Sequence, residues 1–130
     1  MTIVDGAGPA NDLAGLASVT FSGSGFGAHN GKVLHVKIED PTTKPATIVQ
    51  TGTATIQQGS FSFQWNGLFK QLVYYGFYYY IDDNGNDSCE APPTDGVWML
   101  SVLPMSTNTQ AMVTPSGGGA LAGDFCSKFQ

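Results

Sequence analysis

Residues 72–81, LVYYGFYYYI, form the longest strand-like run of the sequence. Aromatic side chains favour the pleated surface of a sheet, and this run carries them on both of its faces. A strand that is apolar on both faces belongs inside a sheet that is covered from both sides. We therefore predict that residues 72–81 form a central strand.

Three further segments alternate between apolar and polar residues, as half-buried strands do. Their core-facing residues are Ala17, Val19 and Phe21, then Leu34, Val36 and Ile38, and then Phe61, Phe63 and Trp65. Polar residues between them, including His35, Lys37 and Glu39, are expected to face water. Residues 46–57 form one long strand or two that meet at Gly52, and residues 96–103 form another. Residues 110–114 and 120–129 supply one or two final strands, and Asn66-Gly67 is expected to form a turn.

This pattern of about seven or eight short strands, with no segment of helical periodicity, predicts an all-β fold. Regular spacing with turn residues between strands is typical of an antiparallel Greek-key β-sandwich of the immunoglobulin, transthyretin or C2 kind. We expect a single sandwich domain over residues 17–130. Residues 1–16 lack any strand or helix period and are expected to be a flexible arm or linker.

The charge balance excludes several classes of partner. The formal net charge is -5, arginine is absent, and the five lysines are scattered along the sequence. Binding to nucleic acid requires clustered lysine or arginine, and anionic membranes require the same, so neither partner is expected. The apolar runs are too short to span a bilayer, and residues 1–16 do not form a signal peptide. The composition nevertheless indicates a mature secreted or cell-surface protein.

Cys89 and Cys126 are the two cysteines of the chain. A disulfide between them fits an exported protein, would anchor the C-terminal segment, and would contribute about 2–4 kcal/mol. The alternative is a pair of reduced, buried thiols.

The segment IDDNGNDSCEAPPTD, residues 81–95, holds half of the ten acidic residues and no lysine. Charges this close repel one another unless a cation or a set of backbone amides neutralises them. Asp82, Asn84 and Asn86 form a D-x-N-x-N pattern, as in the first half of oxygen-ligand calcium loops, which predicts a calcium site. The candidate ligands are Asp82, Asp83, Asn84, Asn86, Asp87, Glu90 and Asp95. The alternative is a solvated turn whose Asp and Asn side chains cap their own backbone amides.

The tyrosines of the central strand leave two interpretations open. Most of them are accounted for as core residues. If Tyr74, Tyr78 and Tyr80 are instead exposed on one face, they form a platform for sugar rings or for a protein partner, because tyrosine combines an apolar ring with a polar tip.

Three segments together resemble a known group of proteins: HNGKVLHVKIED (29–40), GSFSFQW (59–65) and YYYIDDNGNDSCEAPPTDGVW (78–98). The group comprises uncharacterised exported bacterial proteins, often lipoproteins, from myxobacteria and similar organisms. The resemblance covers roughly residues 20–103. Asp87 here replaces the group's glycine, Glu90 its aspartate and Gly96 its histidine. The resemblance implies a secreted β-sandwich and supplies no established activity.

No catalytic motif is evident, and we predict that the protein is not an enzyme. The glycines of GSGFGA, residues 23–28, fit the dinucleotide fingerprint by letter, but no helix can follow them. The sequence also lacks a G-x-S-x-G elbow.

Three functions therefore remain as hypotheses. The first is a non-catalytic exported module with a calcium-binding loop, in a binding or structural role at the cell envelope. The second is a subunit of an extracellular filament or other surface assembly, in which the N-terminal arm adds to a neighbour's sheet. The third is a calcium-dependent glycan-binding module.

Overall fold

The computed structural model describes residues 16–90, 96–115 and 125–129 of the chain. Its seven strands are β1 (Leu16–Gly23), β2 (Val33–Asp40), β3 (Thr47–Thr55), β4 (Phe61–Lys70), β5 (Tyr75–Asp82), β6 (Gly96–Val102) and β7 (Asn108–Val113). Helical structure within the described ranges is limited to two 3-10 turns, Gly27–His29 and Phe125–Phe129. The second of these is called the C-terminal turn. Neither is long and apolar enough to cross a bilayer.

The strands form two sheets, one with the order β4-β1-β7 and the other with the order β3-β2-β5-β6. After the β2–β3 hairpin in the second sheet, β4 returns to pair with β1, which is a Greek-key connection. The predicted all-β sandwich is therefore confirmed. Pairing is antiparallel as predicted except between β1 and β7, which run parallel.

The two sheets pack through a core that is rich in aromatic rings. The Phe21 ring on β1 lies 5.4 Å from that of Phe77 and 5.1 Å from that of Tyr79, both on β5. The Trp65 ring of β4 lies 6.1 Å from Phe77, again edge to face. Such T-shaped pairs contribute about 0.5–1.5 kcal/mol each beyond the area that they bury. These contacts hold β5 against the opposite sheet, while backbone pairing sets it between β2 and β6.

The alternating segments form strands as predicted, and their core-facing residues are buried or packed against the core. Residues 75–82 form the predicted central strand, although it begins three residues later than expected. Residues 46–57 contain one strand rather than two, since Gly52 lies within β3.

Two predicted features of the chain are wrong. Asn66 and Gly67 do not end a strand but form a β-bulge within β4, where the pairing with β1 shifts register. The described part of residues 120–129 is the C-terminal turn and not a strand. A bulge and a turn both place glycine at positive φ, so the Asn-Gly pair by itself does not distinguish them.

The predicted disulfide is present between Cys89 and Cys126, with a Cα–Cα distance of 5.2 Å. It holds the C-terminal turn against the sheet that contains β5 and β6, and both cysteines are buried. The predicted N-terminal arm lies outside the described residues except for Leu16, which is the first residue of β1.

Candidate functional site

The acidic loop begins at the end of β5, where the carboxylate of Asp82 is buried and caps the turn that follows. Its Oδ1 accepts hydrogen bonds from the backbone N–H groups of Gly85 and Asn86, at 3.1 and 3.2 Å. Its Oδ2 accepts one from the N–H of Asp87, at 2.7 Å. Three amides therefore neutralise this carboxylate, which is the arrangement of the self-capped alternative.

The side chains of the loop also form hydrogen bonds within the loop. Glu90 accepts hydrogen bonds from the side-chain amides of Asn84, at 2.9 Å, and of Asn86, at 2.5 Å. The Oδ1 of Asn86 accepts the N–H of Ser88 at 3.0 Å. The D-x-N-x-N residues thus stabilise the loop from within. Asp95, the last candidate ligand, lies outside the described residues.

Asp83 ties the acidic loop to the turn between β1 and β2. Its Oδ1 lies 2.6 Å from Nδ1 of His29, and both side chains are partly buried. The His29 ring also lies 6.4 Å from the ring of Trp98 on β6. His29 therefore helps to fix the loop on the sandwich.

A cluster of metal-ligating groups forms between the loop and β2. One potential ligand atom from each of His35, Asp82 and Asp87 lies within 4.8 Å of the others. The Nε2 atom of His35 is buried and has no hydrogen-bond partner among the described residues. Imidazole nitrogen suits zinc and other transition metals, whereas carboxylate oxygen suits calcium as well. Asp87 is exposed and can turn toward an ion.

The outer face of the four-stranded sheet, the side turned away from the core, is covered by the C-terminal turn. The Phe129 ring packs edge to face on the Tyr80 ring, with centroids 4.7 Å apart. The ring of His35 also stacks on the Tyr80 ring, with centroids 4.6 Å apart. Lys128 lies over the ring of Tyr78 and donates to Glu39 Oε1 at 3.1 Å. This hydrogen bond is the main reason why the pKa of Lys128 is raised.

This cover corrects two predictions about exposure. Glu39 is buried and His35 is partly buried, although both were expected to face water. Tyr80 is 3 % exposed and Tyr78 is half-covered, which leaves Tyr74, at 61 % exposure, as the open member of the proposed tyrosine platform. The physical reason is the disulfide, which brings a distant segment onto the face that alternation predicts to be open.

A pocket of about 450 Å³ opens beside the C-terminal turn, on the outer face of β2 and β3. Its polar lining comes from His35 and Lys37 on β2, Thr51 and Thr53 on β3, and Lys128. Ile48 and Phe129 supply apolar surface. The pocket adjoins the metal-ligand cluster, because His35 belongs to both.

No sequence motif assigns these pocket residues to a site. Their signals are present but weak: H-V-K on β2 and T-G-T on β3 each place two polar residues on one face. The register of the sheet then sets His35 opposite Thr53 and Lys37 opposite Thr51. Only the disulfide adds Lys128 and Phe129 to this set.

Comparisons with protein-family models, with curated proteins and with solved structures found no match for the chain. Function is therefore inferred from the geometry of the acidic loop and of the neighbouring pocket.

Proposed function

We propose that the protein is a non-catalytic, exported β-sandwich module that serves a binding or structural role at the cell envelope and takes up a divalent cation at its acidic loop. The export proposal is supported by the disulfide, since such bonds persist in oxidising compartments. The resemblance to exported bacterial proteins is consistent with it and stays a prediction.

Two observations carry the cation proposal: His35, Asp82 and Asp87 bring potential ligand atoms close together, and the buried Nε2 of His35 has no hydrogen-bond partner among the described residues. Burying a polar atom without a partner is costly, and a bound cation would remove that cost. The cation would also link the acidic loop to β2 and offset repulsion among the loop carboxylates. Calcium, which the sequence predicts, remains the first ion to test, and zinc is the second because of the imidazole.

The test is the thermal unfolding midpoint of the non-reduced full chain with calcium, with zinc, with magnesium and with excess chelator. Free ion at about a hundred times its dissociation constant stabilises the fold by about 2.7 kcal/mol, which is several degrees for a domain of this size. We expect such a rise with calcium or zinc and none with magnesium. Identical midpoints under all conditions would show that the loop is only self-capped.

Two variants separate the possible ligand sets. If the cation binds at the cluster, His35→Gln removes the ion-dependent rise and Glu90→Gln retains it. If calcium binds instead to the predicted loop oxygens, the pattern is reversed. Comparing each variant with and without ion separates binding from any effect on the fold itself.

A second candidate function, a subunit of a surface assembly, is supported by the edge of β7 that no other described strand pairs with. Among the described strands β7 pairs only with β1, and no charged residue occurs in Asn108–Val113. Exposed edges without charges favour the addition of a strand from another chain.

A further inference from the structure

The pocket beside the C-terminal turn is held in shape by contacts on two of its sides. Lys37 donates from Nζ to the main-chain oxygen of Lys128 at 2.5 Å, and Lys128 is itself bonded to Glu39. Phe129 rests on Tyr80, and the disulfide fixes the start of this segment. A pocket of about 450 Å³ with a fixed wall meets the usual size of small-ligand sites, and its preorganisation reduces the entropy lost on binding.

The charge inside this pocket is opposite to that of the whole chain. Two of the five lysines converge there, although the protein has a net charge of -5. None of the described residues that line the pocket is Asp or Glu. Glu39 pairs with Lys128, whereas Lys37 forms no ion pair with any acidic side chain among the described residues, so Lys37 supplies the positive charge of the pocket. Because an ammonium group has three N–H donors, Lys37 retains two after its bond to Lys128.

The remaining polar groups form a compact set of donors and acceptors. Thr51 lies directly opposite Lys37, and Thr53 lies opposite His35. Cross-strand neighbours of this kind have Cβ atoms about 4.5–5.5 Å apart. Neither threonine hydroxyl has a hydrogen-bond partner among the described residues. Phe129 and Ile48 border this polar patch with apolar surface.

We propose that this pocket binds a small carboxylate-bearing, hydroxylated ligand of the uronic acid class. The carboxylate would pair with Lys37, the ring hydroxyls would exchange hydrogen bonds with Thr51 and Thr53, and the less polar face of the sugar ring would contact Phe129. The inference rests on the proposed binding role of the module but not on the cation. The glycan site therefore lies on strands β2 and β3, and not at Tyr74, Tyr78 and Tyr80 as the sequence predicts.

The test is a titration of the full, isotope-labelled chain with glucuronate in excess chelator, followed by backbone NMR shifts. We expect saturable shifts that concentrate at residues 35–37, 51–53 and 128–129. Glucose and inorganic phosphate, titrated in parallel, separate the contributions of the hydroxyls and of the charge. Each of them is expected to bind at least tenfold more weakly than glucuronate. Absence of saturable shifts with glucuronate, or equal affinity for phosphate, would overturn the proposal.

Substitutions then locate the site. Lys37→Met is expected to weaken glucuronate binding at least tenfold, whereas Lys44→Met, at an exposed lysine in the β2–β3 loop, leaves it unchanged. Because Lys37 also holds the C-terminal turn, the pair Thr51→Val and Thr53→Val provides a second measurement, with an expected threefold or larger loss from each. Unchanged binding in both threonine variants would contradict the assignment. The chelator ensures that the result is independent of cation uptake, so either proposal can fail while the other stands.

Discussion

Asp82 shows how one buried carboxylate organises the acidic loop. Its two oxygens accept hydrogen bonds from three backbone N–H groups, and only 3 % of the residue is exposed. Asp82→Ala leaves these amides without their acceptor, and we expect it to lower the free energy of unfolding by about 1–3 kcal/mol in the absence of metal. Urea denaturation in excess chelator measures this difference.

The matched control is Asp87→Asn in the same loop. Asp87 is exposed and adopts a φ of 61°, a left-handed conformation that asparagine also tolerates. We expect this change to alter the free energy of unfolding by no more than about 0.5 kcal/mol. Equal effects of the two substitutions would show that loss of negative charge, and not loss of the cap, determines stability.

Asp40 supplies a prediction about pH. Thr42 donates to Asp40 Oδ1 from its hydroxyl at 2.6 Å and from its backbone N–H at 2.9 Å. These bonds, the hydroxyl first, lower the pKa of Asp40 below its ordinary value. A lowered pKa in the folded state contributes stability above the unfolded-state pKa of about 3.9, and this contribution is lost as the pH falls through the folded-state pKa.

Thr42→Val removes the larger of these two causes while it preserves the shape of the side chain. We expect it to reduce the free energy of unfolding by about 0.5–1.5 kcal/mol at pH 7. The difference from the wild-type protein should shrink toward zero below the folded-state pKa of Asp40. Chemical denaturation of both proteins from pH 7 down to pH 2.5 measures it. A difference that does not change with pH would assign the effect to packing of the hydroxyl instead.

At the level of single residues, the sequence predicts which face of a strand a side chain lies on better than it predicts what that side chain contacts. Alternation places His35 on the side of β2 that faces away from the core, and the structure agrees. It cannot predict that His35 stacks on Tyr80 beside Phe129, because that cover depends on a disulfide to a distant segment. In the same way, the acidic pattern located the loop and predicted calcium binding, but it left self-capping open as an alternative for the same residues.

At the level of elements, β4 contains a bulge whose cost can be measured. Gly67 has a φ of 66°, and its N–H bonds to the hydroxyl of Ser18 on β1. A Cβ at this position would meet no atom within 4 Å, so only the backbone conformation opposes a side chain. We expect Gly67→Ala to lower the free energy of unfolding by about 1–2 kcal/mol.

Gly27→Ala is the matched control for this prediction. A Cβ at Gly27 also meets no atom within 4 Å, but its φ lies outside the left-handed region. Since alanine restricts the unfolded chain, this change is expected to raise the free energy of unfolding by about 0.4–1 kcal/mol. Effects of the same sign at both positions would contradict the conformational explanation.

Strands whose two faces differ in polarity were predictable because burial and sequence share the same two-residue period. β1, β2 and the first half of β4 belong to this group. The second half of β4 was missed because Asn66-Gly67 has the same sequence signal in a bulge as in a hairpin turn. The C-terminal turn was missed because Cys126 is bonded to Cys89 and Phe129 packs on Tyr80, and these tertiary constraints have no local signature.

At the scale of the whole molecule, one edge of the sandwich has, within the part of the chain that the structure describes, none of the usual protection against strand addition. β7 carries no charge, Met112 on it is 75 % exposed, and a groove of about 290 Å³ runs between β6 and β7. If the N-terminal arm adds to β7 of a neighbouring copy, the full chain forms oligomers that deletion of residues 1–15 abolishes. Sedimentation velocity over a range of concentrations measures this directly.

Two methionine variants test whether that edge is the docking surface. Met112→Lys places a charge on β7 and should dissociate such oligomers, because an unpaired charge on an edge strand opposes pairing. Met105→Lys changes an equally exposed methionine in the β6–β7 loop and should leave them intact. Equal thermal midpoints would confirm that both variants remain folded. Sedimentation of the full chain as a monomer at all concentrations would remove the assembly alternative, since an edge that captures no strand in solution supports only a module that acts singly.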